Sequence, residues 1–320
     1  MRLSQALILM LMWIATSVVA QDEAKVEKEW PVLSGEYLGQ PPPGSQPVLF
    51  AEGIIPVDGI QHCFPAFSPD GKEVYWMTVA FENDKPRGEI WFTHEVDGRW
   101  TKPAIASFSG EYNDHAPVFS PDGLRLYFAS SRPGGVGTRK NIWFVERDGA
   151  GWSEPRHLGS PPNTDVGVSQ STFTSDGTVY FVGAFEGTTW NTAIYRSRLV
   201  DGQYQQPELL GEPIRTTHAD TYPFIAHDES YLLFGSSRPG ANSVETDLYI
   251  CFRNADDSWG EPTHMDQSIN NGKSVSFSFV TYDGKYLFFD RFDEDGTDKF
   301  FWVDAAVIEK YRALHNGENR

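Results

Sequence analysis

The feature that most constrains this chain is a pentapeptide that returns. Phe67-Ser68-Pro69-Asp70-Gly71 recurs intact as Phe119-Ser120-Pro121-Asp122-Gly123. Reduced forms follow at Thr174-Ser175-Asp176-Gly177, Ala226-His227-Asp228-Glu229 and Thr281-Tyr282-Asp283-Gly284. The aspartates fall at 70, 122, 176, 228 and 283, a period of 52, 54, 52 and 55 residues. Such a period marks a stacked or circular array of one supersecondary unit. The pentapeptide itself is turn chemistry: proline presets φ, aspartate accepts from the backbone just downstream, and glycine takes φ > 0.

Each repeat runs through four beats. A short strand enters the turn, as in Ala116-Pro117-Val118-Phe119, and a strongly apolar strand leaves it, as in Leu126-Tyr127-Phe128-Ala129. A third strand follows, as in Asn141-Ile142-Trp143-Phe144. The fourth opens on an aromatic residue and reaches a proline, as in Trp100-Thr101-Lys102-Pro103 and Trp152-Ser153-Glu154-Pro155. Four short β-branched and aromatic strands per repeat make one blade of a β-propeller. The expected fold is all-β, a five-bladed β-propeller of four-stranded blades, with six blades as the alternative.

The ends decide the count. The fifth repeat lacks its fourth strand and runs into Ala305-Ala306-Val307-Ile308-Glu309-Lys310-Tyr311, which reads as a helix. Pro47-Val48-Leu49-Phe50 lies 23 residues before Asp70, whereas the fourth-strand prolines lie 19, 21, 21 and 21 residues before the next turn aspartate. The N-terminal strand is therefore expected to complete the C-terminal blade, which removes the open sheet edge of the array. The division expected is a signal peptide at 1–20, an N-terminal linker at 21–46, a propeller at 47–304 and a helical tail at 305–320.

The repeats resemble the WD40-like repeat of the TolB type, or PD40. The resemblance rests on Phe67–Gly71, Phe119–Gly123, the Leu-Tyr-Phe-like second strand, and Ser131-Arg132-Pro133-Gly134-Gly135 with its partial repeat Ser237-Arg238-Pro239-Gly240. It covers roughly residues 47–304. It implies a propeller, and it leaves the role open among interaction modules, protease accessory domains and enzymes.

Arg2, the apolar run Ala6 to Ile14, and Val18-Val19-Ala20 before Gln21 read as a secretory leader cut after Ala20. A periplasmic or secreted protein is expected, with no membrane span after cleavage. The net charge of −18 argues against nucleic acid and anionic lipid as partners. Cys63 and Cys251 fall on different strand types in non-adjacent blades, so two free thiols are expected.

Ligands of propellers sit at the channel mouth, where the inter-blade loops and the second-to-third-strand loops open. The inter-blade loops supply His62, Asp114, His115, His218 and Asp220, with Asp114 and Asp220 each eight residues before a turn aspartate. The other loops add Arg87, Arg132, Arg139, Lys140, Trp190, Arg238 and Arg291. The ligand-binding candidates are His62, Asp114, His115, His218, Asp220, Arg132 and Arg238, and a divalent metal would fall to His62, His115 and His218. Against these stand structural readings: the aspartates as caps or partners of an arginine from a neighbouring blade, and the arginines as inter-blade ties. No G-x-S-x-G elbow or P-loop is present. The expected function is an exported TolB-like binding module for a protein or carbohydrate ligand. The alternative is a polysaccharide-active hydrolase or lyase, with histidine as base or metal ligand, an aspartate as acid and an arginine on an anionic substrate.

Overall fold

A computed structural model of the chain describes residues 30–55, 65–82, 85–186, 188, 190–241, 246–272, 274–292 and 297–317. The architecture is that of the compact unit Val32–Arg320. The leader, His62 and Cys63 lie outside the described residues.

Five antiparallel sheets form a five-bladed propeller. Blade 1 runs Ala66–Phe67, Glu73–Glu82 and Lys85–Val96, and blade 2 runs Asp114–Phe119, Arg125–Ser130 and Asn141–Asp148. Blade 3 runs Ser171–Phe173, Val179–Ala184 and Thr192–Ser197, and blade 4 runs Asp220–Ile225, Tyr231–Ser236 and Asp247–Phe252. Blade 5 runs Ser274–Val280, Tyr286–Phe292 and Asp298–Asp304, and its outer strand is Val48–Leu49. Val48 pairs with Trp302 and Leu49 with Phe301, and the Phe50 amide donates to the Phe300 carbonyl at 2.8 Å. The ring closes as the proline spacing predicts.

The outer strands differ in detail from the expectation. The aromatic that opens the fourth beat pairs with the end of the third strand, Trp100 opposite Glu95, and pairing resumes only past the proline, Ala104 opposite Phe92. Proline has no N–H for the ladder, so the strand breaks there. In blade 3 the aromatic segment folds into its own hairpin, Leu199–Val200 with Gln203–Tyr204, and Glu208–Leu209 then joins the sheet.

The turn aspartates act as local acceptors. Asp70 Oδ1 accepts from the Ser68 hydroxyl (2.6 Å) and the Lys72 amide (3.1 Å), and Asp283 Oδ1 accepts from the Thr281 hydroxyl (2.6 Å) and the Lys285 amide (3.1 Å). Asp122, Asp176 and Asp228 likewise accept the amide two residues on.

Inter-blade packing is aromatic. Phe50, Phe67, Phe288 and Trp302 pack with centroids 5.0–5.8 Å apart. Tyr37 and Leu38, within the stretch read as a linker, are buried in the same cluster. The Trp100 indole donates to the Gly35 carbonyl at 2.8 Å, which fixes this segment over blade 1. The helix Val307–His315 docks on blade 4, where the Tyr311 hydroxyl accepts from the Asp266 amide (2.9 Å) and Lys310 pairs with Asp266 (2.7 Å). No helix among the described residues is long and apolar enough to cross a membrane. Cys251 is a free, buried thiol whose pKa burial pushes well up.

Candidate functional site

Inner-strand starts and second-to-third-strand loops share one face of the ring. Two of its aspartates are bound up in the same arrangement. In blade 2, Arg132 Nη2 donates to Asp114 Oδ1 and to the Phe108 carbonyl, both at 3.0 Å, and Arg132 Nε donates to the Ser130 hydroxyl at 2.9 Å. In blade 4, Arg238 Nη2 donates to Asp220 Oδ1 (2.8 Å) and to the Ile214 carbonyl (2.7 Å), and its Nε to the Ser236 hydroxyl (2.9 Å). Asp114 also accepts from Ser109 (2.8 Å), and Asp220 from the Thr216 amide and hydroxyl (2.7 and 2.6 Å). The guanidiniums stack over Phe128 and Phe234 at 4.8 and 5.1 Å. Each arginine thus ties its blade's inner strand to the incoming inter-blade connection. The aspartate partner is in the arginine's own blade, not a neighbouring one. Burial pushes the Asp114 carboxyl above its ordinary range, against the opposing pull of Ser130, Arg132 and Ser109. In blade 5, Arg291 reaches the corresponding Ile269 carbonyl at 3.1 Å.

Of the candidate metal ligands, His115 and His218 are described, and each has its own local hydrogen bonds. His115 Nε2 hydrogen-bonds Asn113 Oδ1 at 2.6 Å and packs on Gly88 of blade 1, where a Cβ would sit 2.9 Å from that nitrogen. His218 is half-buried, and its amide donates to the Thr216 hydroxyl. Among the described residues no group of three or more His, Cys, Asp or Glu is placed to hold a metal ion.

The site with open chemistry lies between blades 2 and 3, a cavity of about 800 Å³ lined by Arg139, Lys140, Asp165, Phe185, Glu186 and Trp190 among others. Its wall is built by backbone: the Val168 amide donates to the Lys140 carbonyl (2.8 Å), and the Ala184 amide to the Val166 carbonyl (2.8 Å). Gly167, at φ 67°, lets the Arg139 stem lie on the chain, since a Cβ there would come within 2.5 Å of it. The Lys140 side chain makes no hydrogen bond or ion pair among the described residues. Burial lowers its pKa to about 8, with the Asp114 charge as a partial counterweight.

Trp190, 38% exposed, meets the Tyr222 ring at 6.3 Å, and Tyr222 lies 4.0 Å from Phe277. Tyr222 and Phe277 hold positive φ at β-bulges six residues before their turn aspartates, as Ala116 does in blade 2. That irregularity re-aims side chains out of the ladder. Nearby in blade 3, the fully buried Gln170 carboxamide has no partner among the described residues on either polar atom.

At the opposite end, two rings lie across the channel. The Tyr282 hydroxyl of blade 5 donates to the Phe119 carbonyl of blade 2 at 2.7 Å. His227 of blade 4 stacks on Tyr282 at 4.6 Å and 9°, and its Nδ1 meets the Phe173 carbonyl of blade 3 at 3.1 Å. Burial lowers the His227 pKa, so the ring is neutral at pH 7, and Nδ1 is the donor.

No family model and no curated protein matches the chain. Solved structures do. An oligogalacturonate lyase in complex with manganese is 14% identical, with 78% of this chain and 67% of that one covered and a TM-score of 0.44. A thermostable family-43 glycoside hydrolase is 16% identical over 77% of this chain and 90% of that one, at 0.49. An endo-arabinase from Bacteroides thetaiotaomicron is 16% identical over 78% and 96%, at 0.48. The likeness is to the fold and carries no argument about activity.

Proposed function

We propose that this chain is an exported, TolB-like propeller that acts as a binding module and takes its ligand on the face carrying the second-to-third-strand loops. One observation carries the reading. The acids that would serve catalysis, Asp114 and Asp220, are engaged in buried ion pairs, while the cavity between blades 2 and 3 presents Lys140, Arg139 and the exposed Trp190. Convergent polar groups around a concave, partly aromatic surface are what a ligand site requires. The test is a thermal-shift screen of the purified chain against neutral and acidic oligosaccharides and peptides. At least one compound gives saturable stabilisation that Lys140→Ala or Trp190→Ala abolishes. A screen in which every response is indifferent to both substitutions refutes the proposal. Export predicts a periplasmic or secreted chain beginning at Gln21, read by N-terminal sequencing.

The polysaccharide-active reading has one observation in its favour. An amine with a pKa of about 8 is suited to general-base work near neutrality, and Asp165 and Glu186 line the same cavity. Turnover of an oligosaccharide that is lost in Lys140→Met would replace the binding reading with it.

A further inference from the structure

We infer that the cavity between blades 2 and 3 is a subsite for an acidic saccharide, with a sugar ring stacked on Trp190 and its carboxylate set against the Lys140 ammonium and the Arg139 guanidinium. The inference rests on the binding-face reading above and names the ligand class for it.

The cations come first. The chain carries 44 acidic against 26 basic residues, yet two adjacent cations, Arg139 and Lys140, face one cavity. Asp114, the carboxylate whose charge acts on Lys140, is already held by Arg132. Lys140 is half-buried, and a partly desolvated ammonium gains from a carboxylate partner. A ligand carboxylate supplies the missing partner, and Arg139 beside it offers the planar fork that carboxylates match. The lowered Lys140 pKa has the same physical origin, and a bound anion would raise it again.

The platform comes second. Trp190 exposes a large flat ring at the cavity, braced edge-on by Tyr222. An indole presents an apolar face beside a polar handle, which suits a ligand that is itself apolar on one face and polar at its rim. A pyranose ring has that shape.

The acceptors decide among anions. Asp165 and Glu186 line the same cavity. An aromatic or fatty acid has no hydroxyl to donate to them, whereas a hydroxylated ring acid offers several. Nucleic acid would meet the field of a chain at net charge −18. A volume of about 800 Å³ lies within the range of small-molecule sites and accommodates more than one ring.

The experiment is calorimetric titration of the chain from Gln21 onward with trimannuronate and trigalacturonate, with cellotriose and maltotriose as neutral controls. At pH 7 at least one triuronate binds saturably, and the neutral trisaccharides bind at least tenfold more weakly. Lys140→Met and Trp190→Ala each weaken binding by tenfold or more, with melting curves confirming that both variants fold. Affinity falls between pH 7 and 9 in the wild type as Lys140 loses its proton, and Lys140→Arg keeps binding but loses that pH dependence. A merely structural lysine would not produce this split. Equal affinity for neutral and acidic trisaccharides overturns the inference. So does the absence of triuronate binding when another compound binds in a Lys140-dependent way, an outcome that leaves the binding face standing. If none of the four trisaccharides binds, the inference falls, and the binding-face reading falls with it only when the thermal-shift screen also gives no response sensitive to Lys140→Ala or Trp190→Ala.

Discussion

Substituting Asp114 separates a structural tie from a ligand-binding acid. The Arg132 and Asp114 side chains are 7% and 0% exposed, with Nη2 to Oδ1 at 3.0 Å. Asp114→Leu leaves the guanidinium buried with only the Phe108 carbonyl and the Ser130 hydroxyl, and it removes the acceptor of Ser109. Breaking a buried pair from one side costs about 3–5 kcal/mol, because the remaining charge is uncompensated. For a domain of this size that is a fall in Tm on the order of 6–10 °C. Asp114→Leu combined with Arg132→Met removes both charges at similar volume. It is expected to melt within about 2 °C of the wild type or above it, since apolar replacement of a buried pair is often neutral or stabilising. Burial raises the Asp114 pKa, so the native state holds that proton more tightly than the unfolded chain does. Stability from this group therefore falls as pH rises from the unfolded value of about 3.9 through the raised native one, and the double variant loses that slope. Thermal and urea melts of both variants between pH 4 and 8 provide the assay. A single variant that melts with the wild type, or a double variant as unstable as the single, refutes the reasoning.

Phe50→Ala, in the aromatic cluster that seals blade 5, should cost about 3–5 kcal/mol in urea unfolding; a loss below about 1 kcal/mol would mean that the strand at Val48–Leu49 does not close the ring. Lys140 has a lowered native pKa, so its charge burdens the folded state below about pH 8 and the burden lifts as pH rises toward the unfolded value of about 10.4. Lys140→Met should flatten that rise in stability, and unchanged melts at pH 7 and 10 would contradict it. Burial alone would raise Asp266, but Lys310 and Ser268 outweigh it and hold its pKa at about 2. Its stabilising contribution is complete above the unfolded value of about 3.9 and is lost as pH falls through about 2, so Lys310→Met should shift acid unfolding to higher pH; coincident acid transitions would count against the helix contact.

The repeat carried most of the fold. Turn aspartates gave the blade number, and Pro47 gave the closing strand, because both depend on spacing along the chain. The site was less legible. Arg132 and Arg238 were visible as repeat elements, but their partners depend on which blade face each guanidinium enters, and that is decided by packing over Phe128 and Phe234. Arg139, Lys140 and Trp190 stood in the loops without distinction, since the cavity they line forms only when Val166–Val168 pairs with the Lys140 and Ala184 backbone. The rings at the channel's far end do carry a sequence signal. His227 and Tyr282 occupy the turn slot where the first two repeats carry Pro69 and Pro121. The motif degrades where the chain needs a different side chain.

Those two rings also work as a clasp. Tyr282 joins blade 5 to blade 2, which is not its neighbour in the ring, and His227, stacked on Tyr282, joins blade 4 to blade 3. Four of the five blades are thereby linked by two side chains, so a blade that moves outward at this end must first break a hydrogen bond or a ring stack.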